Sequence, residues 1–267
     1  MKNILLTMEY DGTSFSGWQR QPGKRTVQGE LERALSIVCK CPVQLNGTSR
    51  TDAGVHALGQ KASFKGDFGI PTERIPIAAN NLLAGGMNAM GKVGDLRILS
   101  AEEMPENFHA RFDAKGKKYI YKILNCQELK IFSRNQYYHI KKELNLDAMK
   151  RAASFIVGTH DFKCFQAAGG EEKRTTVRTI YGISIEEGIT EDGLRTIQLE
   201  VKGDGFLYNM VRIITGTLVE VGLGKLEPEA LLYIMEAKDR REAGHTAPPQ
   251  GLYLAKIYYN LEELTAL

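Results

Sequence analysis

Residues 47–56 read Gly47-Thr48-Ser49-Arg50-Thr51-Asp52-Ala53-Gly54-Val55-His56. Glycine admits backbone angles closed to other residues, and small side chains leave room for a ligand, so the stretch is loop material and not helix or strand. Downstream, Ala62 and Phe64 alternate with Lys61, Ser63 and Lys65, which predicts a strand over 57–65. A short strand leads in from the other side. The segment is therefore a loop between strands that carries a single carboxylate, Asp52, with Arg50 two residues before it to favour the ionised form. On its own, an Arg-x-Asp in a glycine-rich loop also fits an Asx-turn beside a surface arginine. The rest of the chain has to choose between these.

Upstream, residues 3–10 read as a strand and 11–23 as a loop rich in turn residues. Thr26 is placed as the N-cap of a helix running to about Lys40, with Leu31, Leu35 and Val38 on one face and Pro42 closing it. Residues 71–83 form a second predicted helix and Leu96–Leu99 a strand. The Glu-rich, Pro-containing stretch 101–107 is the expected boundary between two halves, 1–103 and 104–267. In the second half, a basic stretch from Arg111 to Lys118 runs into a strand that puts Tyr119, Tyr121 and Ile123 on one face. Helices are expected over 146–157 and 205–221, strands over 176–186 and 195–202, then a helix beginning near Pro228 and a last strand over 252–259. Met210, Ile213, Ile214, Leu218 and Val221 share the core face of the long helix, which directs Arg212 elsewhere.

The chain has 267 residues, 43% hydrophobic and 25% charged, which is ordinary globular composition. A formal charge of +3 is only mildly basic, so a nucleic-acid surface has to come from local clustering. Cys39, Cys41, Cys126 and Cys164 lack paired metal or disulfide spacing, which predicts reduced, buried structural thiols in a cytoplasmic protein. The apolar run at the start is too short for a signal peptide, and no stretch reaches the length of a membrane span. Gly222-x-Gly224-Lys225 has Val219 where a phosphate loop needs its first glycine, and Gly203-x-Gly205 lacks the third glycine of a dinucleotide fingerprint. His56, His109, His139, His160 and His245 show no metal-ligand spacing. His160-Asp161 reads as a satisfied histidine at a helix end. No nucleotide cofactor and no metal are expected, and no serine or cysteine sits in a nucleophile elbow.

Dispersed pieces then combine. Tyr10-Asp11-Gly12-Thr13, Phe15-Ser16-Gly17-Trp18-Gln19, Thr26-Val27-Gln28-Gly29 and Ser49 to His56 resemble the amino-terminal signatures of the tRNA pseudouridine synthase A family. Phe108-His109-Ala110-Arg111-Phe112, Lys118-Tyr119-x-Tyr121, His160-Asp161-Phe162 and Val177-Arg178-Thr179-Ile180 follow in the family's order. Gly205 to Arg212 and Thr246-Ala247-Pro248-Pro249-x-Gly251-Leu252-Tyr253-Leu254 complete the set, so the resemblance covers nearly the whole chain. It departs at Leu83-Ala84-Gly85-Gly86-Met87-Asn88, where relatives usually carry Leu-Pro followed by an acidic residue and isoleucine.

The residues themselves indicate an α+β fold with a mixed or mainly antiparallel sheet flanked by helices. The resemblance adds two halves of similar topology about a central RNA-binding cleft. It further implies a homodimer without a cofactor that isomerises uridine to pseudouridine at positions 38, 39 and/or 40 of the tRNA anticodon stem-loop. Asp52 corresponds to the family's essential aspartate, acting either as a nucleophile at C1′ or as a base at C2′. Tyr119 corresponds to the tyrosine that packs on the target base, Arg212 to the ion-pair partner of the aspartate, and Arg50 to an RNA-holding arginine. Arg20, Lys24, Arg25, Arg111, Lys115, Lys117, Lys118, Lys173, Arg174 and Arg178 are candidates for phosphate contacts. Two other readings are a non-catalytic RNA-binding protein on the same fold, which loss of the aspartate would favour, and an aspartate-dependent hydrolase. The hydrolase wants a second carboxylate near Asp52 that the sequence does not supply.

Overall fold

The computed structural model describes residues 1–86, 92–169 and 175–266. The chain divides into two compact units: Met1–Lys115 with Tyr253–Tyr259, and Gly116–Leu252 with Asn260–Leu267.

In the first unit, β1 (Lys2–Tyr10) lies antiparallel between β3 (His56–Gly66) and β4 (Leu96–Met104). The far edge of β3 is shared by β2 (Asn46–Gly47), antiparallel at Ala62 and Ser63, and β10 (Leu252–Tyr258), parallel at His56 and Ala57. Ile4, Leu6 and Met8 of β1 and Ala62 and Phe64 of β3 are fully buried, as the alternation requires. Helix α1 (Val27–Cys39) begins where predicted: Thr26 Oγ1 accepts the Gly29 N–H at 3.3 Å, and Lys40 ends the helix in the left-handed region. Leu31, Ala34 and Leu35 carry its core face, while Val38 is half-buried. The segment read as a helix over 71–83 opens with a 3-10 turn, Thr72–Arg74, before α2 (Ile75–Leu83). Asn80 of α2 exchanges two hydrogen bonds of 2.8 Å with the Ile98 backbone, which ties the helix to β4.

Strand β4 runs five residues beyond the expected Leu99 and takes in part of the acidic stretch, with Ala101 opposite Leu6 and Glu103 opposite Ile4. Its glutamates line an edge strand, where charge blocks further pairing. Residues 101–107 thus lie inside the first unit. The Asn3 side-chain amide holds the turn that follows, donating to the carbonyls of Pro105 and Phe108 at 2.8 Å.

In the second unit, β5 (Gly116–Asn125) is antiparallel to β9 (Arg195–Gly203) and parallel to the short β6 (Tyr138–Ile140). Strand β8 (Val177–Ile189) pairs with β9 on one side and with β7 (Gly158–Asp161) on the other, both antiparallel. Tyr119, Tyr121 and Ile123 are buried on β5, as their alternation predicts. Helices α3 (Leu146–Ser154) and α4 (Met210–Gly222) pack together, followed by α5 (Ala230–Ala237) and a terminal α6 (Leu261–Thr265). Mixed, mainly antiparallel strand pairing flanked by helices makes the α+β class expected.

Several expectations change. Strands β6 and β7 and helix α6 carry no sequence signal strong enough to foresee. Helix α3 stops at Ser154, short of 157, and β8 continues to Ile189. Helix α4 starts at Met210 and not near Gly205, because Asn209 takes a left-handed backbone (φ 59°) that no helix interior allows. His160 sits on β7, bonded to the Val157 carbonyl at 3.0 Å, and is not a helix-end residue. Of the four thiols only Cys39 and Cys164 are buried; Cys41 and Cys126 are half-exposed. Met87 and Asn88, in the stretch that departs from the family pattern, lie outside the described residues. Among the described residues no helix is long and apolar enough to cross a membrane.

Candidate active site

The loop 48–55 is fastened at Thr48, Ser49, Thr51, Asp52 and Val55. Thr48 N–H donates to the Lys61 carbonyl (2.9 Å), the Gln60 side chain to the Ser49 carbonyl (2.7 Å), and Trp18 N–H to the Thr51 carbonyl (3.0 Å). The Tyr10 and Thr51 hydroxyls meet at 2.8 Å. Val55 N–H closes a turn on the Asp52 carbonyl at 3.2 Å, with Gly54 at φ 79°. Ser49, Thr51 and Val55 are buried, Asp52 half-buried and Arg50 exposed. The side chain of Asp52 thus projects from a backbone gripped on both sides, which suits a group that must be held in place before reaction.

Part of the grip comes from the segment 11–18, and glycines on both sides are what let it approach. A Cβ on Gly12 would overlap the Val55 carbonyl, and one on Gly47 would overlap the indole of Trp18, itself 2% exposed. Gly17 adopts φ 86°, and a Cβ there would stand 2.8 Å from the Thr51 oxygen. Gly12 N–H donates to His56 Nδ1 at 3.1 Å, Asp11 Oδ1 lies 3.2 Å from the same nitrogen, and Tyr253 stacks on the imidazole at 4.6 Å. The sequence pieces Tyr10-Asp11-Gly12 and Gly17-Trp18 are therefore a bed for the aspartate loop.

In the second unit, one connection positions two candidate residues. Phe206 in the loop before α4 meets the Tyr119 ring edge-on at 5.2 Å, and Tyr119 is 7% exposed. Three residues later Asn209 gives up the usual side-chain cap of α4; its Oδ1 accepts Arg212 Nη1 at 2.7 Å. Arg212 Nε donates to the Ala247 carbonyl at 2.7 Å, and Ala247 N–H donates back to the Arg212 carbonyl at 3.1 Å. The Tyr121 hydroxyl donates to the Pro248 carbonyl at 2.6 Å, and burial drives that phenol well above the ordinary tyrosine value. Neither Asn209 nor Ala247 was singled out from sequence, although both belong to pieces of the resemblance. Gln60, a fully buried polar residue within β3, was the other available signal.

The basic candidates are engaged to different degrees. Arg25 forms a two-pronged ion pair with Asp95 (2.6 and 2.8 Å) and lies over the Phe15 ring. Its guanidinium is held above the ordinary arginine value by that hydrogen-bonded pairing, against the opposing effect of burial. Arg20 pairs with Glu32 at 3.1 Å and Lys118 with Glu200 at 3.1 Å, while Arg178 Nη1 binds the carbonyls of Thr175 and Val177. Lys24, Arg111 and Lys115 are exposed and Lys117 is half-buried, with the Arg111 guanidinium 6.0 Å from the Phe112 ring. Lys173 and Arg174 lie outside the described residues.

A family model described as tRNA pseudouridine synthase matches residues 6–113 and 152–260. The chain belongs to the tRNA pseudouridine synthase family. Among curated relatives, tRNA pseudouridine synthase A 2 of Clostridium tetani is 47% identical over 261 residues, covering 97% of this chain and 99% of the relative. tRNA pseudouridine synthase A of Ruminiclostridium cellulolyticum is 48% identical over 259 residues, covering 97% of this chain and all of the relative. The synthase match takes in Arg50 and Asp52 in its first span and Arg212 in its second, whereas Tyr119 falls between the two spans.

Proposed function

We propose that this synthase isomerises uridine to pseudouridine at positions 38, 39 and/or 40 of the tRNA anticodon stem-loop, with Asp52 as its catalytic carboxylate. The observation that carries the reading is the aspartate loop itself: a carboxylate on a backbone hydrogen-bonded from both sides, in a chain of this family. The reaction breaks the N1–C1′ bond, turns the uracil and joins C5 to C1′; N1 gains a proton and C5 loses one, so no cofactor is consumed. Asp52 serves either by attacking C1′ and being displaced by C5, or by taking the C2′ proton and returning it.

Arg212, held by Asn209 and Ala247, supplies the positive partner that keeps Asp52 ionised. Tyr119 packs on the uracil taken out of its stack. Arg50, exposed beside Asp52, holds RNA, and the outward-facing Lys24, Arg111 and Lys115 meet phosphates. The active species is proposed to be a homodimer. The test is Asp52→Asn, which keeps shape but removes charge and nucleophile: incubation with bulk unmodified tRNA, followed by mapping of pseudouridine, should show parent activity at 38–40 and none in the variant, with RNA binding retained. Multiple turnover by purified Asp52→Asn would sink the role of Asp52, and parent activity confined to other positions would sink the substrate assignment.

A further inference from the structure

Residues 243–248 form a strap across α4, and the structure gives the reason it can lie so close: a Cβ on Gly216 would overlap the His245 carbonyl. Two elements converge on His245. Its backbone N–H donates to Glu220 Oε1 of α4 at 3.2 Å, its Nδ1 lies 2.9 Å from the same oxygen, and its Nε2 lies 3.0 Å from the Tyr138 hydroxyl of β6. An ionised carboxylate only accepts, so Nδ1 carries the hydrogen toward Glu220. Burial pushes the Glu220 carboxyl up, but the two N–H groups of His245, with charge from His245 and Lys225, reverse this and leave it below the ordinary glutamate value. The order carboxylate, imidazole, hydroxyl is that of a nucleophile relay. Tyr138 is no nucleophile, however, because burial and then the Glu220 charge raise its phenol and keep it protonated.

What the group does is hold. Two residues beyond His245, Ala247 makes the pair of hydrogen bonds that fixes Arg212. We infer that Glu220 and His245, braced by Tyr138, are positioning residues that set the Ala247 carbonyl and through it the orientation of the Arg212 guanidinium. The consequence for catalysis rests on the proposed role of Arg212 toward Asp52. The strap has other ties, Gly244 N–H to Thr217 Oγ1 (2.9 Å) and Arg240 to the Ala243 carbonyl and Thr246 hydroxyl (3.1 Å each), so loss of His245 loosens it without unfolding the unit.

The experiment uses the full chain and two readouts: hydrogen exchange of the Arg212 Nε–H, assigned by its loss in Arg212→Met, and steady-state kinetics on tRNA. His245→Ala should speed that exchange and lower kcat by about tenfold or more with KM within about twofold, the signature of a misplaced group and not of lost binding. His245→Asn, whose amide nitrogen stands where Nδ1 stood, should restore both, and Tyr138→Phe should give a smaller loss of the same kind. In an Arg212→Met background, His245→Ala should add nothing further. Unchanged exchange in His245→Ala overturns the clamp, and a full-sized kcat loss in the Arg212→Met background overturns its route through Arg212. Normal turnover by Arg212→Met alone would instead remove the proposed role of Arg212 and leave the clamp to stand on the exchange result.

Discussion

Tyr119 shows what a single residue can and cannot disclose. On a strand with Tyr121 and Ile123, its alternation predicts burial, and it is buried; the same burial serves a core aromatic and one that a base slides against. Phe206 packs against it in a T-shaped contact at 5.2 Å, which helps to hold the ring in place. Tyr119→Phe should therefore keep near-parent binding and turnover, and Tyr119→Leu should lose most activity, since stacking is worth about 1–3 kcal/mol per base. Parent-like turnover of tRNA by Tyr119→Leu would return the residue to the core. Charged residues are harder still to read from sequence. Arg20, Arg25 and Lys118 look alike on the page as basic candidates, but their partners Glu32, Asp95 and Glu200 are 12, 70 and 82 positions away along the chain. Only folding reveals which charges are already committed.

At the scale of elements, legibility followed length and chemistry. Helix α1 announced itself by its threonine cap and repeating leucines, and β1, β3 and β5 by alternation. Strands β6 and β7, with three and four residues, are too short to show a period. The apolar pattern places the start of α4 too early, because Phe206 and Leu207 extend it backward across a left-handed Asn209. Its glycines mark the aspartate loop as a loop, but nothing local shows that part of its order comes from another loop, 11–18. Gly47→Ala tests that dependence: the added methyl must displace Trp18, an overpacking that costs about 1–3 kcal/mol. Denaturant unfolding should shift by that amount, and turnover should fall more steeply than stability because Trp18 N–H holds Thr51, next to Asp52. A variant of normal stability and full activity would mean the indole is not part of the bed.

For the molecule as a whole, the buried thiols and phenols shift with one sign. Burial raises the Cys39 thiol to about 11, the Cys164 thiol to about 12 and the Tyr259 phenol to about 12, and takes Tyr121 higher. Each group binds its proton more tightly folded than unfolded, so each contributes stability that is whole below its unfolded value, roughly 8.5 for thiols and 10 for phenols, and is lost as pH climbs through the folded value. Stability measured by denaturant should decline steadily from about pH 9 to 11; a flat or rising profile would contradict the burial of these groups. The arrangement of β10 has a consequence of another kind. Strand β3 receives its parallel neighbour from residues 253 and 254, after all of Gly116–Leu252 has gone into the other unit. During translation the edge of β3 at His56, where the aspartate loop ends, waits for its parallel neighbour until Gly116–Leu252 has left the ribosome, so the half begun first is closed only after most of the other has been made.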